Sequence, residues 1–203
     1  MKFSIQKKLP LKFYKGDVHT VAKELLGKYI VKKNNGVYLC GRIVEVEAYD
    51  GKIDQAAHSF RGKTKRNQVM FEGGGKLYVY FTYGMHFCAN VVTGNINDGK
   101  AILIRAVEPV DGIDQMAVNR FGKKTANENE LKNLCSGPAK FCKAFNIDRN
   151  DNGTDLTGDY IFIINDSRLK PECIVSARRI GIKKSVDLQW RYYIKENKFV
   201  SKK

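Results

Sequence analysis

The chain has 203 residues, of which 43% are hydrophobic and 28% charged, enough for one compact domain and too apolar for a disordered polymer. Thirty-six Lys and Arg against 21 Asp and Glu leave a formal charge of +15; such a field attracts polyanions, with nucleic acid the first partner class and an acidic membrane surface the second. No run approaches the roughly 18 apolar residues of a spanning helix, and the start, MKFSIQKKLPLKFYKGD, lacks the apolar stretch of a secretory signal, so no membrane association and a cytoplasmic location are expected.

In chain order, Asp17 is placed to cap a helix whose apolar positions Val18, Val21, Ala22, Leu25 and Leu26 recur at helical spacing, with Gly27 ending it. From Gly36 to Tyr49 the β-branched and aromatic content predicts strands, and period two puts Ile43, Glu45, Glu47 and Tyr49 on one face and Val44, Val46 and Ala48 on the other. The polar stretch from Asp50 to Gln68 reads as a long ordered loop, and Gly73, Gly74 and Gly75 as a tight turn or flexible loop. KLYVYFTYGMHFCANVV, from Lys76, predicts a β-hairpin reversing at Tyr83-Gly84-Met85, its tip holding Tyr83 and Met85. A strand follows from Ala101, then helices over Asp111 to Phe121 and Pro138 to Phe145, the latter with Ser136 as cap. Strands close the chain at Tyr160 to Ile164, Ile174 to Ile182 and Gln189 to Ile194. This order predicts an α+β fold: a single domain over 1–203 with a curved, largely antiparallel sheet, flanking helices and a protruding β-hairpin.

Carboxylates are disfavoured in strands, yet GRIVEVEAY carries two, so at least one of Glu45 and Glu47 is expected to face a cavity or an arginine rather than a solvated strand face. One of them would serve as a general base activating water, and spacing does not choose between them. His58 is either a satisfied loop histidine or a binding contact. Tyr78 reads as core, whereas Tyr83 at the turn suits base stacking. Arg105, alone in ILIRAVEP, needs an acidic partner or a phosphate. Cysteines 40, 88, 135, 142 and 173 form no C-x-x-C pair and lie far from the histidines at 19, 58 and 86; free thiols and no metal are expected. No P-loop and no G-x-G-x-x-G is present, and no cofactor is expected.

GRIVEVEAYDGKIDQAAHSFRGKTKRN, then MF, LYVYFTYGMHFCANV, ILIRAVEP, LCSGPAKFCKAF, ARRIGI and WRYYI together resemble, in order and over nearly the whole chain, the 3-methyladenine (alkyladenine) DNA glycosylase family. The resemblance implies a monofunctional base-excision-repair hydrolase that flips alkylated or deaminated purines out of double-stranded DNA and cuts the N-glycosidic bond, leaving an abasic site. By the same resemblance Glu47 activates the water, with Arg105 near the reacting nucleotide. Tyr49, His58 and Tyr80 hold the flipped base, Asn90 crowds the exocyclic amine of normal guanine, and the Ile180 backbone lines the water site. Tyr83 enters the duplex gap, with Met85 beside it at the intercalating tip. The chain departs from the family pattern at Val46, at His86 and between Arg61 and Met70. Its short N-terminus is like that of bacterial members; a monomer and a bacterial, nucleoid-associated location are expected. A noncatalytic nucleic-acid-binding module would share the charge and the hairpin but have no use for Glu47, and a glycosylase with lyase activity would form a covalent adduct with DNA.

Overall fold

The computed structural model describes residues 7–34, 36–124, 127–165 and 168–201. Two helices, α1 (Leu11–Tyr14) and α2 (Val18–Leu25), open the described chain. Asp17 caps α2, its Oδ1 accepting from the amides of His19 and Thr20 at 3.0 Å each, and the face of Val18, Val21, Ala22 and Leu25 is buried. Strands β1 (Tyr29–Asn34), β2 (Val37–Asp50), β3 (Leu77–Thr82), β4 (His86–Thr93) and β5 (Lys100–Asp111) come next. After them lie α3 (Ile113–Phe121), α4 (Glu128–Asn133), α5 (Pro138–Ala144) and strands β6 (Ile161–Ile164), β7 (Ile174–Ala177) and β8 (Arg191–Ile194).

The α+β class and the antiparallel sheet are as expected. One sheet runs β3-β4-β5-β2-β1-β6, every pairing antiparallel, with β8 joining β2 and β7 joining β8. The 14-residue β2 makes this branching possible. Along one edge it pairs with β5 from Cys40 to Asp50; along the other, residues 37–42 pair with β1 and residues 45–47 with β8. The sheet thus forks halfway along one strand and curls.

Several boundaries differ from the expectation. Asp111 still pairs with Cys40 in β5, and Gly112 at φ 72 turns the chain, so α3 starts at Ile113. Ser136 does not cap α5; its backbone bridges to Ala106, and Gly137 holds the cap position without a side-chain bond. The strand expected to reach Ile182 ends at Ala177, because residues beyond it leave the sheet to bond the end of β2. Strands β6 and β8 begin at Ile161 and Arg191, leaving Tyr160, Gln189 and Trp190 outside them. Helices α1 and α4 span four and six residues, too short to show a period. Strand β1 escaped because it buries Ile30, Val31 and Lys32 in succession, the lysine paired with buried Asp151 at 2.8 Å; no alternation marks it.

Two faces of the sheet separate packing from chemistry. Val46 and Ala48 join Ile102, Ile104, Ala89, Val91, Leu77 and Val79 in the main core, where burying each large aliphatic side chain contributes about 1.5–3 kcal/mol. Ile43 was expected on the carboxylate face, but irregular register between Ile43 and Val46 breaks the period, and Ile43 lies in the main core beside Val44. From Glu45 onward the alternation holds. The register aligns Glu47, Leu103, Asn90 and Tyr78 in one row across four strands, and a smaller cluster of Val69, Met70, Tyr78, Val92 and Ala101 covers that second face.

The glycine triplet is a tight corner and not a flexible loop. Gly73 and Gly75 have φ of 94 and 95, and a Cβ on Gly74 would sit 2.3 Å from the Tyr14 carbonyl oxygen at the end of α1. Overpacking of this kind costs about 1–3 kcal/mol. Gly74→Ala is expected to lower the unfolding free energy by about that amount in urea titrations, and an unchanged midpoint would contradict this packing.

Candidate active site

Both strand carboxylates are fully buried, so neither lies on a solvated strand face. Glu45 Oε1 accepts from Arg105 Nε at 3.1 Å and Arg191 NH1 at 3.0 Å, and its Oε2 from the Ser201 amide at 2.7 Å. Glu47 Oε1 accepts from the Ile180 amide at 2.8 Å and faces Arg105 NH1 at 3.2 Å, while its Oε2 accepts from the Tyr49 hydroxyl at 2.8 Å. Arg105 therefore has two acidic partners. Burial opposes its charge, and the carboxylates of Glu47 and Glu45 outweigh burial and hold its pKa above the usual value. The geometry separates the two acids: Glu45 is held by charged and main-chain donors, whereas Glu47 is the one bonded to a pocket-wall tyrosine.

That tyrosine lines a small recess formed by Tyr49, Ala56, His58, Met70, Tyr78, Tyr80, Asn90 and Ala101. Four residues singled out from the sequence, Tyr49, His58, Tyr80 and Asn90, are thus brought together. Glu47, Arg105 and Ile180 do not line the recess; they form a layer joined to it through the Tyr49 hydroxyl. Tyr78 is buried as expected but also lines the recess.

The imidazole of His58 packs edge-on to Tyr80 with ring centres 4.5 Å apart, and its Nδ1 lies 3.1 Å from the Tyr78 hydroxyl. The side chain of Asn90 donates to the Tyr78 carbonyl at 3.1 Å, which fixes its amide against the wall. The position of His58 depends on Asn67, a residue the sequence did not single out. Buried Asn67 donates to the carbonyls of His58 and Gly62 at 2.9 and 3.0 Å and accepts from the Thr64 amide at 2.6 Å, knotting the loop. The neighbouring Arg66 lies 5.8 Å from the centre of the Tyr80 ring and donates to the Phe81 carbonyl on the hairpin at 3.1 Å. An Asn or Arg in a polar loop carries no local signal of such reach.

The hairpin itself forms as expected, with Thr82 opposite His86. Tyr83 is 83% exposed and Met85 70% exposed at its tip. Tyr83 also adopts φ 51, an outlier for a bulky side chain that costs on the order of 1–3 kcal/mol. A large aromatic held out in water on a strained backbone gains nothing from the fold and suits insertion between stacked bases.

Burial raises the pKa of the phenols around the recess: Tyr78 is pushed up to about 12, and Tyr49 and Tyr80 are also raised, by burial first and by Glu47 and Cys88 respectively next. All three are neutral donors at neutral pH. His58 is pushed down, by burial first and by the Arg66 charge second. Among the described residues no cluster of three His, Cys, Asp or Glu side chains could hold a metal ion, and no helix is long and apolar enough to cross a membrane.

The site thus combines a buried carboxylate behind an aromatic recess with an exposed aromatic hairpin tip on a strongly basic chain. The family model for methylpurine-DNA glycosylase matches residues 12–198, and the chain belongs to that family. It is 53% identical over 196 residues to a protein of Carboxydothermus hydrogenoformans, covering 96% of this chain and 99% of that one. It is 45% identical to a Clostridium botulinum protein, covering 94% and 97%, and 49% identical to one of Francisella tularensis, covering 90% and 92%. All three are provisionally named 3-methyladenine DNA glycosylase.

Because the folded pKa of His58 lies below its unfolded value near 6.5, the unfolded chain binds more protons as pH falls through that window. His58 therefore contributes stability at neutral pH that is lost on acidification. Its ring protons should titrate below pH 6.5 in NMR spectra, and His58→Gln should reduce the acid sensitivity of the unfolding midpoint. A His58 midpoint above 6.5 would contradict the burial described.

Proposed function

We propose that this chain, as one glycosylase domain over 1–203, excises 3-methyladenine and related alkylated or deaminated purines from double-stranded DNA by monofunctional hydrolysis. The observation that carries the reading is the hydrogen bond from Tyr49, a wall of the aromatic recess, to the fully buried carboxylate of Glu47.

Extrusion of a nucleotide costs a few kcal/mol and least for a damaged pair. Tyr83 and Met85 would fill the vacated stack, offsetting that cost. The flipped base enters between Tyr49, His58 and Tyr80, whose π faces attract a cationic alkylpurine by about 0.5–2 kcal/mol. His58, neutral at physiological pH, adds no repelling charge. Asn90, fixed by its bond to Tyr78, would oppose the exocyclic amine of guanine.

Glu47 Oε2 accepts from Tyr49, and a carboxylate oxygen has room for a second donor; because the side chain is fully buried behind the recess wall, the attacking water would reach that position only with a shift of Tyr49. As the C1′–N bond lengthens, its electron pair leaves with the base and the sugar becomes oxocarbenium-like. Water adds its oxygen to C1′ and gives a proton to Glu47, leaving an abasic deoxyribose and, from a cationic alkylpurine, a neutral free base; a neutral deaminated purine leaves as an anion that takes its proton from solvent. Arg105 and the Ile180 amide hold Glu47 in place, and the carboxylate also stabilises the positive sugar. No lysine is required, which is the basis for assigning hydrolysis without lyase activity. One recess and one wedge on the same chain suit a monomer, and the basic charge suits cytoplasmic, nucleoid-associated DNA.

Glu47→Gln keeps the shape and hydrogen bonding of the side chain. It is expected to cut single-turnover excision of 3-methyladenine by about 10²–10⁴-fold with duplex affinity retained; undiminished excision would overturn the assignment. Borohydride should trap no covalent DNA adduct. Tyr83→Ala should weaken binding to an abasic-analogue duplex, stacking on the wedge being worth about 1–3 kcal/mol, and unchanged affinity would remove Tyr83 from the wedge role.

A further inference from the structure

The ARRIGI segment carries two adjacent arginines, Arg178 and Arg179. Arg179 has a side chain with no solvent exposure and pairs with Asp54, equally buried, through two bonds: NH1 to Oδ2 at 2.5 Å and NH2 to Oδ1 at 2.8 Å. NH1 also donates to the Ala48 carbonyl at 3.0 Å, next to Tyr49. The guanidinium carbon lies 4.6 Å from the centre of the Tyr49 ring and 5.3 Å from that of Trp190. Asp54 Oδ1 further accepts from the amide of Ala56, a wall residue of the recess two positions before His58. The residue after Arg179, Ile180, gives its amide to Glu47.

Three segments therefore meet at one guanidinium: the end of β2 with Tyr49, the loop carrying Ala56 and His58, and the turn whose amide bonds Glu47. We infer that Arg179, acting with Asp54, is a positioning residue that sets the plane of Tyr49 and thereby holds the recess wall and the Glu47 carboxylate in register. This rests on the glycosylase reading above and adds a residue to it. A guanidinium suits the task because its planar fork pairs two carboxylate oxygens while its face stacks on a ring. Lysine supplies the charge without the plane, so Arg179→Lys separates alignment from charge balance. Asp54→Asn removes the charge of the other partner at nearly constant shape.

The test uses the full chain under single-turnover conditions on duplexes carrying 3-methyladenine or hypoxanthine. Affinity is measured on a duplex with a tetrahydrofuran abasic analogue, and flipping by the fluorescence of ethenoadenine in a duplex. For both variants the excision rate at saturating enzyme is expected to fall by about tenfold to a hundredfold, the scale of a small misplacement of reacting groups. Affinity for the abasic analogue should stay within about twofold, so that the loss falls in the chemical step rather than in binding. Ethenoadenine should still unstack but reach a different final intensity, because the ring it stacks on is no longer fixed. If a folded Arg179→Lys excises at the wild-type rate, or loses affinity in proportion to rate, the positioning role is overturned. If neither variant folds, the pair serves stability alone and the inference is likewise overturned. A wild-type chain that excises nothing would instead overturn the glycosylase reading, which keeps the two failures apart.

Discussion

The site depends on the charge balance beneath its floor. Glu45 and Glu47 lie on one strand without solvent contact, and Arg105 bridges them while Arg191 supports Glu45. Two carboxylates and two guanidiniums cancel formally, and near neutrality is what allows an ionisable group to stay buried beside an aromatic recess. Such an arrangement adds little to stability on balance, but removing one partner from a buried pair costs about 3–5 kcal/mol. Its value is therefore geometric: Glu47 cannot swing away from Tyr49 without giving up one of the two carboxylates of Arg105 and the partner of the Ile180 amide. The branching of the sheet at β2 serves the same end, since β8 brings Arg191 against Glu45 while β5 brings Arg105 from the other side.

The sequence was most legible where local rules act alone. Asp17 before an amphipathic run gives a capped helix, and an aromatic alternation broken by Tyr-Gly-Met gives a hairpin with an exposed tip. Two glutamates in a β-branched strand demanded buried partners, and they have them. Legibility stopped where a partner lies far along the chain. Asp54 and Arg179 are 125 residues apart, and neither neighbourhood announces the other. Asn67 looks like any loop asparagine until its bonds to His58 and Gly62 are seen. Ile43 was misplaced because a bulge shifts a period-two pattern by one residue, and β1 was missed because a buried lysine stands where alternation would have shown.

Resemblance supplied roles that residue chemistry left open, chiefly the choice of Glu47 over Glu45. In the structure Glu45 accepts from two arginines and the Ser201 amide, whereas Glu47 meets one arginine, the Ile180 amide and the hydroxyl of the recess-wall Tyr49. Arg66 also ties the hairpin to the recess wall, reaching both the Tyr80 ring and the hairpin carbonyl of Phe81.

The amide of Ser201, close to the end of the chain, donates to Glu45 at 2.7 Å. Ser201 thus helps to cover a fully buried acid. Trimming the chain ahead of this residue would be equivalent to a substitution in the interior, uncovering one glutamate and, through the arginine it shares with its neighbour, loosening the other.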